Sequence, residues 1–311
     1  MHAADGNPAR LPGFGRRAFL IAGATSGIGI GAATAVGLTG PPSTSTTALR
    51  RSAGTAYPTP LVGPGAARSE RIYSHARGRY VNLVFVLPVN EPPRGLPMSL
   101  LLHGLHGSAR TAGATGLLRR LSSEVTGKQV RPYGFVAVDG GDSYWHQHNP
   151  GDDPMAMLLE EIPVWLRERG LGGSDGRPFA VTGTSMGGFG ALLYGRRRKE
   201  RRQPVRAIGA ISPALITSWR EMRKRNAFDD QADWASMDPL RHITATAGIP
   251  TAVWCGTGDA FIPGVREFIK RAKPEIAYTA PGGHNDEFFR TAVPGLIGFL
   301  GKYAPLPDRS V

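Results

Sequence analysis

The stretch Phe179-Ala180-Val181-Thr182-Gly183-Thr184-Ser185-Met186-Gly187-Gly188 decides how this chain is read. Strand-forming residues at 179–182 run into Gly-Thr-Ser-Met-Gly, and 187–194 opens a helix. A sharp strand-to-helix turn lifts a serine hydroxyl clear of the sheet. Small residues at 183 and 187 let the two backbones pass closely, and a helix N-terminus lies beneath any oxyanion that develops there. The G-x-S-x-G pattern stands here in the strand, turn and helix context that its chemistry requires, so Ser185 is the candidate nucleophile.

A serine hydroxyl at its ordinary pKa is a weak nucleophile and needs a base, with a third group to orient that base. Of the eight histidines, His284 is the best placed, in Pro281-Gly282-Gly283-His284-Asn285-Asp286 between a short strand and a closing helix. The acid is expected between serine and histidine in chain order. Asp259, in Trp254-Cys255-Gly256-Thr257-Gly258-Asp259, lies just past an apolar strand and is the first candidate, with Glu267 as substitute. Asp286 is too near His284 in sequence to orient it comfortably. An oxyanion hole needs paired backbone N–H groups; Met186 supplies one, and the loop His103-Gly104-Leu105-His106-Gly107 the other, with Leu105 preferred to His106. His103, His106, Tyr144 and Trp145 are candidate pocket residues, the last two in Asp142-Ser143-Tyr144-Trp145-His146-Gln147-His148-Asn149. Tyr144 and Trp145 could stack against an acyl chain or a sugar, or simply pack the rim. No carboxylate stands at ligand spacing among His103, His106, His146 and His148, so neither a metal nor a cofactor is expected.

Outward from the elbow, apolar runs at 81–87, 97–102, 134–138, 207–211, 251–255 and 276–279 read as strands, and 155–168 and 287–302 as helices, with Pro163 kinking the first. Continuous apolar strands alternating with helices imply an α/β fold, a mostly parallel central sheet with helices on both faces. The stretch 214–245, carrying Trp219, Arg220, Arg223, Lys224, Arg225, Phe228 and Trp234, interrupts the rhythm and is expected as a small helical insertion over the active edge.

Residues 1–40 have the layout of an export signal: Arg16-Arg17-Ala18-Phe19-Leu20 precedes a mildly apolar run free of acidic residues, as in twin-arginine signals. Residues 41–70, opening on Pro41-Pro42-Ser43-Thr44-Ser45-Thr46-Thr47, read as low-complexity linker and lead-in, and 71–305 as the catalytic domain. Gly23-Ala24-Thr25-Ser26-Gly27-Ile28-Gly29 imitates a dinucleotide-binding turn, but no strand precedes it and no acidic partner follows. The whole chain of 311 residues carries 37 Lys plus Arg against 24 Asp plus Glu, a net +13 supplied almost entirely by arginine. Without zinc-finger spacing, an RNP-like stretch or a long basic helix, that charge names no nucleic-acid partner. The run Arg196-Arg197-Arg198-Lys199-Glu200-Arg201-Arg202 reads as a solvated helix end. The single cysteine, Cys255, excludes an intrachain disulfide framework and reads as an inert core residue.

His103 to Gly107, Gly183 to Gly188, Cys255 to Asp259 and Gly282 to His284 together resemble the α/β-hydrolase superfamily over about 75–303, and within it the secreted esterases that include the esterase D and antigen 85 groups. The resemblance implies Ser185 as nucleophile, His284 as base and Leu105 with Met186 as oxyanion donors. Asp259 resembles the acid of the esterase D-like enzymes; antigen 85-like mycolyltransferases use a glutamate further along, where this chain offers Glu267. The implied activity is that of a secreted or envelope-associated serine carboxylic-ester hydrolase working through an acyl-enzyme on a small-molecule or lipid ester, without stable membrane insertion after export. An acyltransferase of the cell envelope and a non-catalytic envelope-binding protein are the alternatives.

Overall fold

The computed structural model describes residues 65–306. The expected export signal, the glycine-rich stretch at 23–29 and most of the linker lie outside the described residues.

Eight strands form one sheet: β1 (Ala66–Ser74), β2 (Arg79–Leu87), β3 (Met98–Leu102), β4 (Gly134–Val138), β5 (Ala180–Thr184), β6 (Ala207–Ile211), β7 (Thr251–Gly256) and β8 (Ile276–Ala280). They lie in the order β1-β2-β4-β3-β5-β6-β7-β8. β1 pairs antiparallel with β2, and β2 antiparallel with β4; every pairing from β4 to β8 is parallel. Strands β3, β4 and β6 are buried at every position, which a strand can be only when both faces of its sheet are covered.

The period-two alternation of side chains sorts those strands between separate apolar clusters. Leu100, Leu102, Val136, Val138, Ile208 and Val253 belong to one, and Leu101, Phe135, Ala137, Ile211 and Trp254 to the other. Helix α1 (Leu117–Thr126) lays Leu117, Leu121 and Val125 into the second cluster. On the first face, α2 (Pro154–Ala156), a π-helical turn (Met157–Glu161) and α3 (Ile162–Glu168) form one continuous helical passage. Pro163 stands in the first turn of α3; it lacks an N–H, its ring crowds the preceding turn, and the wider π turn makes the room. Helix α4 (Met186–Glu200) is buried through its first ten residues and crosses the middle of the same face.

Between β6 and β7 come α5 (Trp219–Met222), a 3-10 turn (Arg223–Arg225), α6 (Gln231–Met237) and a further 3-10 turn (Ile243–Thr246), the helical insertion. Trp219 stacks on Trp234 within it, with centroids 6.1 Å apart. Met222, Phe228 and Trp234 join the first cluster, so the insertion is part of the core on its inner side. Helix α7 (Ile262–Ala272) packs Ile262, Val265 and Phe268 on that face, and α8 (Asp286–Tyr303) closes the other with Phe288, Ala292 and Leu296. No helix among the described residues is long and apolar enough to cross a membrane.

β1 begins at Ala66, inside the stretch read as lead-in, and the sequence pattern had offered no strand there. It is an edge strand, exposed along most of its length, so it carries no apolar run. The β1–β2 turn is held by Arg77, whose guanidinium grips both Asp152 oxygens (2.6 and 3.1 Å) and donates to the Asp139 carbonyl (2.6 Å). Glu161, in the π turn, accepts from the Ser74 hydroxyl and from the His75 and Ala76 amides.

Candidate active site

In a parallel sheet the strand ends and following loops gather at one edge, and ligands bind outside the carboxyl ends. Ser185 follows β5 at that edge, Asp259 follows β7 and His284 follows β8.

Ser185 adopts φ 60°, ψ −120°, a region that costs a non-glycine residue roughly 1–3 kcal/mol and persists only where its surroundings over-determine it. They do so here. Its amide donates to the Ile211 carbonyl at 2.9 Å, and its own carbonyl accepts from the amides of Gly188, Phe189 and Ala214. A Cβ at Gly183 would overlap the Gly187 carbonyl, and one at Gly187 would overlap that of Leu102. The elbow therefore tolerates only glycine at those positions.

The Ser185 hydroxyl lies 2.9 Å from His284 Nε2, and His284 Nδ1 lies 2.7 Å from Asp259 Oδ2. An ionised carboxylate can only accept, so Nδ1 carries the ring proton and Nε2 is left to accept from the hydroxyl. Burial pushes the Asp259 carboxyl upward, but the bonds from His284 and from the Phe261 amide (2.8 Å to Oδ1) outweigh it, and the group stays below its ordinary value. The loops carrying these residues are tied together: the Thr257 amide donates to the Ala280 carbonyl and the Gly258 amide to that of Gly282. Phe261 and Phe289 meet the imidazole edge-on at 4.9 and 5.2 Å and restrict its rotation. Asn285 caps α8 through the Phe288 amide, fixing where the helix starts and hence where His284 sits.

Among the described residues, neither the Leu105 nor the Met186 amide has a hydrogen-bond acceptor. The His106 amide is instead committed to Asp142 Oδ1 at 2.6 Å, and the His106 ring to Asp142 Oδ2 at 2.9 Å. That difference leaves Leu105 as the loop amide available to an anion beside the Met186 amide at the start of α4.

A cavity of about 430 Å³ opens over the hydroxyl, lined by Leu105, His106, Tyr144, Ser185, Arg225, Phe261, His284 and Phe289 among others. His103 and Trp145, expected at the pocket, lie beneath it and are fully buried. His103 Nδ1 donates to the Gly104 carbonyl at 2.8 Å and Nε2 accepts from the Gly140 amide at 2.9 Å, while burial lowers its pKa and keeps it neutral. It fastens the 103–107 loop to the end of β4, and Trp145 packs against its ring. Tyr144 is also buried but lines the cavity; burial pushes its hydroxyl up to about 12, against the pull of Arg225. Glu267 pairs with Arg271 at 2.7 Å on the exposed side of α7, and Asp286 accepts from the Thr115 hydroxyl at 2.9 Å.

His146 bonds to the Ala227 carbonyl and stacks on Phe228, apart from His103 and His106. Among the described residues no group of three His, Cys, Asp or Glu side chains could hold a metal ion. A larger groove of about 680 Å³ between α1 and the β1–β3 side of the sheet is mostly apolar and contains no comparable set of polar groups. Sequence reasoning did not single out Arg225, Phe261, Phe289 or Asp139 as site residues. Asp139, which accepts from the amides of Asn82 and Ala109, organises the edge from the end of β4, and its place just after an apolar strand was the available signal.

A serine on a strained elbow at the carboxyl edge of a sheet in this strand order is the arrangement of the α/β-hydrolase superfamily. Over residues 74–288 the chain matches the family described as "Putative esterase". It belongs to that family and is a carboxylic ester hydrolase. No curated protein sequence matches it. Solved structures that resemble it include a ferulic acid esterase, with a TM-score of 0.65 and 18% identity over 78% of this chain and 100% of that one. An S-formylglutathione hydrolase from Agrobacterium tumefaciens gives 0.61 and 16%, over 78% of this chain and 97% of the other. Fluorophosphonate-binding serine hydrolase F of Staphylococcus aureus gives 0.60 and 18%, over 76% and 99%. At these identities the likeness carries the fold.

Proposed function

We propose that the protein is an exported serine esterase in which Ser185, His284 and Asp259 form a catalytic triad and the reaction passes through an acyl-enzyme. The observation that carries this reading is the unbroken hydrogen-bonded chain from the Ser185 hydroxyl through His284 to Asp259, facing an open cavity. His284 Nε2 takes the hydroxyl proton as Oγ attacks the ester carbonyl, and the Leu105 and Met186 amides receive the oxyanion. The proton then passes from Nε2 to the departing alkoxide, and the alcohol leaves. Water, deprotonated by the same nitrogen, attacks the acyl-serine, and collapse of that intermediate returns the proton to Ser185 with release of the carboxylic acid. A cavity of about 430 Å³ suits a small ester with a short acyl chain or a single ring. Export by the twin-arginine route, to the envelope or the medium, is supported by Arg16-Arg17 and the apolar run behind them.

The test is hydrolysis of p-nitrophenyl esters from acetate to palmitate, together with labelling by a fluorophosphonate. The wild-type protein is expected to label and to favour short chains, and Ser185→Ala to lose labelling and at least about 10⁴-fold in kcat/KM. Turnover by the alanine variant at the wild-type rate would overturn the assignment of Ser185. Absence of both turnover and labelling in the wild type would overturn the esterase mechanism itself.

A further inference from the structure

The insertion delivers one charged group to the cavity that the mechanism does not use. Arg225 ends the 3-10 turn Arg223–Arg225 and lines the cavity together with Ser185 and His284. Among the described residues its guanidinium has neither an ion-pair nor a hydrogen-bond partner, although neighbouring Lys224 is paired with Glu221 at 2.7 Å. The carboxylates near the cavity are occupied elsewhere. Asp259 is bonded to His284 and Asp142 to His106, while Asp286 accepts from Thr115 and lies 3.5 Å from Arg290 Nε. The exposed guanidinium therefore borders the substrate space with no carboxylate bonded to it: Glu221 acts on it only at a distance, and Asp286, which lines the same cavity, is engaged by Thr115 and Arg290.

Its position is built. Asn226 takes a left-handed conformation (φ 49°, ψ 42°) and turns the chain inward, so that Ala227 and Phe228 bury behind it. The Ala227 carbonyl accepts from His146 at 2.7 Å, and Phe228 stacks on the His146 ring at 4.5 Å. The Arg225 guanidinium carbon lies over the Phe261 ring, 6.0 Å from its centroid, and the same ring abuts the imidazole of His284. The guanidinium thus stands one phenyl ring away from the reacting groups, a spacing that a small substrate spans. A guanidinium offers forked donors that match a carboxylate in a bidentate way.

We propose that Arg225 is a specificity-determining residue and that the preferred substrates are esters bearing a carboxylate, bound with that carboxylate on the Arg225 fork while the ester carbonyl sits at Ser185. This inference rests on the esterase reading above and names the substrate class for that same site.

The experiment compares kcat/KM for anionic and neutral esters in the full-length wild-type protein and in Arg225→Gln. One pair, mono-p-nitrophenyl glutarate against p-nitrophenyl valerate, carries the charge on the acyl side. The other, para-acetoxybenzoate against para-tolyl acetate, carries it on the alcohol side. The anionic-to-neutral ratio is expected to fall about tenfold in the variant for at least one pair, the size of one charge-assisted hydrogen-bonded contact. The loss should lie in KM, with Arg225→Lys recovering part of it, and the wild-type ratio should fall as salt is added. Using the ratio removes any general loss of folded or active protein. An unchanged ratio in both pairs, with wild-type turnover present, would overturn the role of Arg225 and leave the esterase standing. Absence of turnover and of fluorophosphonate labelling in the wild type would overturn the esterase mechanism and this inference with it.

Discussion

Ser185 and Asp259 show how single side chains are held to a task by backbone they do not own. The serine's unfavourable φ is maintained by contacts to β6 and the residues after it, and the aspartate is fixed by the Phe261 amide as well as by His284. Asp259→Asn tests the second arrangement. Its Oδ1 can still accept from the Phe261 amide, which turns the new NH₂ group toward His284 Nδ1 and moves the ring proton to Nε2. An imidazole in that tautomer cannot accept the serine proton, so kcat should fall about 10³–10⁴-fold while circular dichroism stays at the wild-type signal. The positions of Ser185, Asp259 and His284 were readable because each sits at a strand end flanked by glycine, where chain reversal leaves a recognisable pattern. His103 and Trp145 were not, because a residue type does not say whether its side chain points above or below a loop. In this protein the tie between His103 and Gly140, with Trp145 packed against it, puts both under the floor.

At the antiparallel end of the sheet β2 is held by its buried apolar side chains, whereas β1 and the β1–β2 turn depend on polar anchors. The β1–β2 turn meets the body of the domain through Arg77, which is 5% exposed and spans Asp152 and the Asp139 carbonyl. Removing the guanidinium leaves the Asp139 carbonyl without its donor and Asp152 with only the more exposed Arg79, at 2.8 Å, as partner. Arg77→Met, which keeps most of the stem, should therefore cost roughly 2 kcal/mol in urea unfolding. A change within a few tenths of wild type would show that water replaces the guanidinium freely. The same polar character explains why β1 was hidden in the sequence: Arg68, Ser69, Glu70 and Arg71 lie in it, and an edge strand with mostly exposed side chains needs no apolar period. The 155–168 helix was visible from its spacing, yet the π turn that absorbs Pro163 was not, since a proline signals an interruption without specifying its geometry.

The stability of the whole domain carries a pH dependence set at the end of the insertion. Asp238 is 3% exposed; burial outweighs the Leu240 amide bond and Arg241 and pushes its carboxyl up to about 6. The unfolded chain holds this proton with a pKa of about 3.9. Below about pH 4 both states are protonated and the group costs nothing. As pH rises from there to about 6 the unfolded state ionises first, so folding loses stability, up to about 3 kcal/mol, and the loss is constant above. Asp238→Asn, which keeps the acceptor for the Leu240 amide, should flatten the urea-unfolding profile over that interval and raise stability at pH 7. An unchanged slope would place the titration elsewhere. At this scale the fold class was legible from its buried strands, whereas the crossing that sets β4 between β2 and β3 is a matter of packing that no local pattern records. The chain order has a consequence in time. Ser185 and His284 are 99 residues apart, and β8 with the loop after it comes last but for α8. During synthesis the serine emerges long before its imidazole. On the proposed mechanism it remains an ordinary alcohol until β8 is laid against β7, and nascent or arrested chains are expected to be chemically silent toward esters.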